Sequence, residues 1–293
     1  MNASLRILII GENGQVSRAL QSRLAGMGEL IVRGSGQLDL ARPDSLRSPI
    51  VALKPDLIVN AAAHTAVDLA ETEPERAFTI NATAPGILAQ AASELGIPLI
   101  HYSTDYVFDG LKPAPYTEDD TPNPVSVYGR SKLAGEDAIR HIVGQHLILR
   151  TSWVYSVEGR NFLLTMQRLL QEKPQLRVVA DQIGAPTWAG TIADSTAQLI
   201  ERWQTGQHGA WGTYHLAARG ETSWFGFAQA IAESLVEQHK PCAVLEPIPS
   251  SAYPTPAQRP LNSRLDCTRL YREWGVSQPD WRSALQQCLA GQV

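Results

Sequence analysis

The chain is predicted to be an α/β protein, with a parallel sheet covered by helices on both faces. Three observations predict it. Short runs that are apolar throughout alternate with stretches of helical spacing, the pattern of strands buried on both faces. A glycine turn, "GENG" (11–14), separates the first such run from the first helical stretch. After Arg150 the texture changes to turn residues, aromatics and prolines. A Rossmann-type doubly wound sheet over 1–150, followed by a smaller lobe over 151–293 with some segments returning to the sheet, accounts for all three. In that arrangement the sheet carries a cofactor and the lobe is mainly substrate-binding.

Each element has its own warrant. "RILII" (6–10) is apolar and β-branched and reads as the first strand. In "GQVSRALQSRLAGMG" (14–28), Val16, Leu20 and Leu24 recur at four and predict a helix. "ELIVR" (29–33) is the second strand, and "SLRSPIVALKP" (45–55) a short helix despite Pro49. "DLIVNAAA" (56–63) is the third strand, running into a loop of small residues. "PERAFTINATAPGILAQAASELG" (74–96) reads as one long helix bent at Pro85. "PLIHYST" (98–104) is the fourth strand, a helix from about Tyr128 follows, and "HLILR" (146–150) is the fifth. In the second half, helices are expected over 161–172, 190–203, 224–238 and near 279–291. "LRVVA" (176–180) is a short strand there, and 247–264 a proline-rich loop.

Composition narrows the function classes. The 293 residues are 44% hydrophobic and 18% charged, an ordinary globular balance long enough for one large domain or two smaller ones. A net charge of -4 offers no surface for nucleic acid. No stretch approaches the roughly 18 apolar residues of a membrane span. The opening "MNASLRILII" is too short for a signal peptide. Cys242, Cys267 and Cys288 form no CxxC pair and no zinc spacing, which suits a reduced compartment. A cytoplasmic protein is the expectation.

Chemistry enters at two places. The turn places Gly11 and Gly14 between a strand and a helix. Backbone can approach a pyrophosphate there, and the helix N-terminus favours its charge. Ser17 stands where a third glycine is usual and is small enough to serve. The second place is "SVYGRSKLAGE" (126–136), where Tyr128 and Lys132 project from one helix face a turn apart. A ketone reduction needs a proton for the emerging alkoxide. A tyrosine can give it if its pKa falls from about 10 towards about 7, a cost of roughly 4 kcal/mol. One ammonium at about 4 Å, at an effective dielectric near 20, supplies about that much. Ser103 and Thr104, at the carboxyl end of the fourth strand, offer a hydroxyl to orient the carbonyl oxygen.

With these residues in place, the sequence resembles the extended short-chain dehydrogenase/reductase family, and within it the dTDP-4-dehydrorhamnose reductases. The resemblance runs through "ILIIGENGQV", "DLIVNAAAHTAVDLAE", "NATAPGILA", "IHYSTDYVFDG", "VYGRSKLAGE", "LRTSWVY", "DQIGAPT" and "YPTPAQRPLNSRL", nearly the whole chain. It implies reduction of the 4-keto group of dTDP-4-dehydro-L-rhamnose to give dTDP-L-rhamnose, a sugar donor for the cell envelope. Tyr128 is then the proton donor, Lys132 lowers its pKa and binds ribose, and Thr104 contacts the keto oxygen or tunes the tyrosine. Asn13, Gly14 and Gln15 lie on the pyrophosphate, Asp39 and Leu40 near the adenine, and Ala62, Ala63 and Thr65 along the cofactor. Asp105 and Trp153 meet the sugar; Arg259 and Asn262 suit the thymidine diphosphate. His64 is given no role, and Asp68 and Glu71 are read as a solvated or capping pair.

The second strand ends in Arg33 and Gly34, without the carboxylate that accepts from an NAD ribose. NADPH is therefore expected, with NADH usable, Arg33 pairing with the 2′-phosphate and Ser35 adding a hydroxyl. The resemblance also raises magnesium and a homodimer, since some members bridge glutamates through a metal. Ala19 and Gly190 stand where such glutamates are sought, so no metal ligands are identified. The rivals are a ketoreductase for another dTDP-deoxysugar and a non-catalytic NADP-binding regulatory subunit of the same fold.

Overall fold

Residues 4–291 are described by the structure, a computed structural model. The first half runs β1 (Arg6–Ile10), α1 (Gln15–Leu24), β2 (Glu29–Arg33), α2 (Arg47–Leu53), β3 (Leu57–Asn60), α3 (Val67–Ala70) and α4 (Pro74–Phe78). A π-helical turn (Thr79–Thr83), α5 (Ala84–Leu95), β4 (Leu99–Thr104), α6 (Val127–Ile142) and β5 (His146–Thr151) complete it. The second half opens with β6 (Val154–Tyr155), α7 (Phe162–Glu172), β7 (Gln175–Val179), β8 (Ile183–Gly184), β9 (Thr187–Trp188) and α8 (Ala189–Gln204). It ends with β10 (Gly212–His215), β11 (Thr222–Ser223), α9 (Trp224–Glu237), β12 (Val244–Ile248), α10 (Thr268–Trp274) and α11 (Trp281–Ala290).

The main sheet has the order β10-β5-β4-β3-β1-β2, and its pairings are parallel. Side chains alternate across it. Ile7, Ile9, Leu57 and Val59 face one layer with α1, α8 and α10; Leu8, Ile10 and Ile58 face the other with α2, α5 and α6. Burial on both faces is why these strands read as unbroken apolar runs. β1 lies between β2 and β3, where the order of strands reverses, and ligands of such sheets sit outside the carboxyl ends near that point. The second half supplies β10 and α8 to this sheet and builds a separate core from Tyr155, Leu163, Phe227, Ile231 and Trp281.

Several elements differ from expectation. α1 stops at Leu24 rather than at 28. The expected single helix over 74–96 is α4, a π turn and α5. Pro85 has no N–H to give the carbonyl of Asn81, so the helix widens there instead of merely bending. α3 and α10 were not anticipated, and β12 runs into the expected proline-rich loop. As β7's partner it tolerates Pro247.

Candidate active site

The glycine turn is held by its neighbours. Gly11 has φ +102°, a region side chains rarely adopt, and its N–H donates to Arg33 O at 2.9 Å. Ser17 is fully buried, and its hydroxyl donates to the Gly11 carbonyl, so the serine braces the turn that a third glycine would only have left room for. α1 starts at Gln15 behind Gly14, with no side-chain cap on its first turn. Asn13 and Gly14 are exposed, Ala62 and Ala63 half-buried and Thr65 exposed. Backbone N–H groups, small residues and open access fit the pyrophosphate of a dinucleotide.

The adenosine end is less simple. Arg33 folds back, its Nη1 donating to Val32 O at 2.8 Å. Asp39 accepts from Ala41 N at 3.0 Å and lies 3.8 Å from Arg42, so its carboxylate is used locally; Leu40 is buried beside it. No carboxylate ends β2, and the Glu12 side chain covers Gly34 there. Glu12 packs on Gly34 so closely that a Cβ there would come 2.6 Å from Oε2. Gln15 Oε1 accepts from Asn161 Nδ2 at 2.8 Å, tying the turn to the second half of the chain.

α6 carries Tyr128 and Lys132, the expected catalytic pair. Ser126 Oγ accepts from Gly129 N at 3.1 Å, and Glu71 Oε1 accepts from Val127 N at 2.8 Å. Glu71, expected as a solvated or capping residue, thus caps α6 from 56 residues away. The helix presses on the loop after β4: a Cβ at Gly129 would lie 2.1 Å from Tyr106 O, and Tyr106 meets the Tyr128 ring edge-on with centroids 5.5 Å apart. Tyr128 and Lys132 are both buried.

Burial dominates the electrostatics of the pair. Burial pushes Tyr128 up to about 12; a hydrogen bond with Thr104 pulls back and the Asp105 charge pushes further. Lys132 is buried as well. Burial lowers its own pKa to about 8, against the pull of Glu136. Its Nζ donates to Tyr102 O at 2.7 Å and lies 3.2 Å from His101 Nε2. Desolvation of both buried partners opposes what one nearby ammonium supplies.

Thr104 and Ser103 divide their work by strand alternation. Thr104 Oγ1 donates to Asp105 Oδ1 at 3.1 Å and faces Tyr128. Ser103 points the other way, to Glu136 Oε1. Glu136 is completely buried and receives Arg150 Nε at 2.9 Å and Nη2 at 2.7 Å. Asp105 is raised to about 6 by burial, with Ser263 and Thr104 holding it down, and its buried Oδ2 has no hydrogen-bond partner among the described residues.

The other expected substrate residues are distributed differently. Trp153 sits at φ +48° just after β5, its ring stacked on Trp224 with centroids 3.6 Å apart. Arg259 forms a two-pronged pair with Asp68, Nη1 to Oδ1 at 3.0 Å and Nη2 to Oδ2 at 2.8 Å. That pair joins the proline-rich loop to α3 and holds Asp68 below the usual carboxylate range. Asn262 is a strut, donating to Lys112 O at 2.6 Å and Ala114 O at 2.9 Å and accepting from Arg264. His64 is clamped through its backbone, Asn81 accepting from its N–H at 2.8 Å and donating to its carbonyl at 3.0 Å.

The metal option finds no support. Among the described residues no group of three or more His, Cys, Asp or Glu converges as a ligand set. Ala19 packs against the core shared with α8, and a Cβ at Gly190 would come 2.5 Å from the Trp188 ring. A glutamate does not fit at the second position, and no step is routed through magnesium. No helix among the described residues is long and apolar enough to cross a membrane.

Residues 5–293 match the family described as RmlD substrate binding domain. A dTDP-4-dehydrorhamnose reductase from Burkholderia thailandensis is 46% identical, the match covering 97% of this chain and 98% of that protein. The crystal structure of a dTDP-4-dehydrorhamnose reductase from Clostridium acetobutylicum superposes with TM-score 0.91 at 34% identity, covering 98% and 99% of the two chains. One from Bacillus anthracis, solved in complex with NADP, gives TM-score 0.91 at 33% identity over 98% and 99%.

Proposed function

Since the chain belongs to the dTDP-4-dehydrorhamnose reductase family, we propose that it reduces the 4-keto group of dTDP-4-dehydro-L-rhamnose to give dTDP-L-rhamnose. It is an NADPH-dependent oxidoreductase of dTDP-rhamnose synthesis. The observation that carries the residue roles is the meeting of Thr104, Tyr128 and buried Lys132 at the carboxyl end of β4.

Bound NADPH supplies the hydride for the keto carbon. The side chains manage the oxygen. As negative charge develops there, Tyr128 releases its phenolic proton to it and Thr104 orients it by hydrogen bonding. A phenol held near pKa 12 keeps its proton until the alkoxide, a stronger base, appears. The Lys132 ammonium holds the ribose. Asp105, with a free buried carboxylate oxygen, accepts from a sugar hydroxyl, and Trp153 offers apolar surface to the deoxysugar. Arg259 reaches the diphosphate by exchanging Asp68 for it. We place the enzyme in the cytoplasm, where charged NADPH and dTDP-sugars are retained.

The test is direct. Purified protein given NADPH and dTDP-4-dehydro-L-rhamnose should lose NADPH absorbance and form dTDP-L-rhamnose. A product epimeric at C4 would assign another deoxysugar ketoreductase, and NADPH binding without turnover a regulatory subunit.

A pH profile follows from the two shifted groups. Asp105 gains its charge as pH rises through about 6, and Lys132 loses its charge as pH rises through about 8. kcat/KM should form a bell between those limits. Asp105→Asn should remove the acid limb and leave the basic limb; an acid limb that survives assigns it elsewhere.

Cofactor preference gives another expected result. Arg33→Asp should move the kcat/KM ratio towards NADH by tenfold or more, about 1.4 kcal/mol. An unchanged ratio in the Arg33 variant, measured with both reduced cofactors, would remove Arg33 from the cofactor site.

A further inference from the structure

Behind Lys132 lies a chain of four hydrogen-bonding groups that the reaction as described does not use. It starts at a backbone donor. Ala62 N–H donates to Asn60 Oδ1 at 3.2 Å, which aims the amide oxygen at the loop and the amide nitrogen inward. Asn60 Nδ2 lies 3.0 Å from His101 Nδ1. An amide nitrogen only donates, so the imidazole must accept at Nδ1 and carry its proton on Nε2. Nε2 is 3.2 Å from Lys132 Nζ.

The far end is where the chain has a consequence. An ammonium has three N–H groups and no lone pair, so it cannot receive the Nε2 proton; a neutral amine can. With Lys132 as an amine, the contacts from Ala62 to Tyr102 O are all satisfied. With Lys132 as an ammonium, the imidazole must move its proton to Nδ1. Asn60 must then turn its oxygen inward, and Ala62 N–H loses its acceptor. Asn60 and His101 are 1% exposed, so water does not enter the contact between them.

We propose that Asn60 and His101 are positioning residues for the reductase: the amide selects the imidazole tautomer, and the imidazole biases Lys132 towards the free amine. The cofactor-binding ammonium and the amine state are thereby two arrangements of one hydrogen-bonded chain, and the proton state of the lysine is read through to the loop that follows β3. This rests on the reductase reading for its effect on turnover, but not for the tautomer itself.

The other groups around Lys132 are accounted for. From its own helix, Glu136 favours the ammonium, but is tied by Arg150 of β5, by Arg140 and by Ser103 of β4. The π turn and the loop after β3 bring Asn81 and His64, bonded to one another. Burial and the lysine both hold His101 well below the usual imidazole range, consistent with a neutral ring.

Two measurements test the proposal. Nitrogen NMR of the full-length enzyme labelled in histidine should show His101 protonated on Nε2 above pH 8, and a tautomer protonated on Nδ1 there would overturn it. That readout needs no substrate, so it stands apart from any failure of the assigned reaction. The second uses Asn60→Asp, which keeps the shape and the Ala62 bond but can only accept from His101. The imidazole then carries its proton on Nδ1 and offers Nε2 to the ammonium. The basic limb of kcat/KM should move up by a pH unit or more, a tenfold change in lysine acidity. A lower activity with an unmoved basic limb would mean that the pair only fills space.

Discussion

Tyr128→Phe is expected to lower kcat by about 10²–10⁴-fold and leave NADPH affinity nearly unchanged. The phenol matters when charge appears on the substrate oxygen, so the loss belongs to the chemical step. The ring remains, and with it the edge contact to Tyr106 and the packing of α6. Fluorescence titration with NADPH separates binding from turnover. More than about a tenth of wild-type kcat would show that another group gives the proton. Lys132→Ala should behave differently, damaging both cofactor affinity and turnover. Its loss also leaves Tyr102 O and His101 Nε2 without their partner.

The strands of the main sheet were legible because burial on both faces leaves nothing for them to be except apolar. β10 was not, since "GTYH" is short and polar and is a strand only because β5 receives it in parallel. That Tyr128 and Lys132 share one face of α6 was legible from helical spacing, and the glycine turn and the strand-end hydroxyls gave the pair its expected role. Its electrostatics were not, because they are set by what covers the pair, and that comes from β4 and the loop after it. Asn60 looks like an ordinary strand end and His101 like an ordinary mid-strand residue; their partnership spans 41 residues. Glu136 reads as one more surface charge in "KLAGEDAIR" until β5 brings Arg150 to it. Arg259 could be singled out as a cation near the substrate lobe, but its hold on Asp68 is a fact of the fold. Spacing along one helix survives translation into three dimensions; contacts between separate elements have no local signature.

The largest stability effect is expected at that same glutamate. Glu136 is 0% exposed and Arg150 3%, and they meet through two hydrogen bonds, with Ser103 closing the remaining side. Burial alone would raise the Glu136 pKa, but hydrogen bonding and charge from Arg150, helped by Ser103 and Arg140, carry it below the usual glutamate value. Glu136→Ala strands a buried guanidinium and should destabilise the protein by about 3–5 kcal/mol, read from urea unfolding. The sign with pH follows. A carboxylate depressed in the folded state contributes its stability above the unfolded pKa, about 4.3, and loses it as pH falls through the lower folded value. The variant should therefore have a flatter acid side than the parent. Removing both charges, as in Glu136→Leu with Arg150→Met, should cost less than Glu136→Ala alone, because no unpaired ion remains in the interior. If the double variant is instead the weaker of the two, the pair contributes attraction beyond its own desolvation. Either way α6 is held against β4 and β5 by this contact, one turn beyond Lys132, so the same variants should also lower turnover through the placement of the catalytic helix.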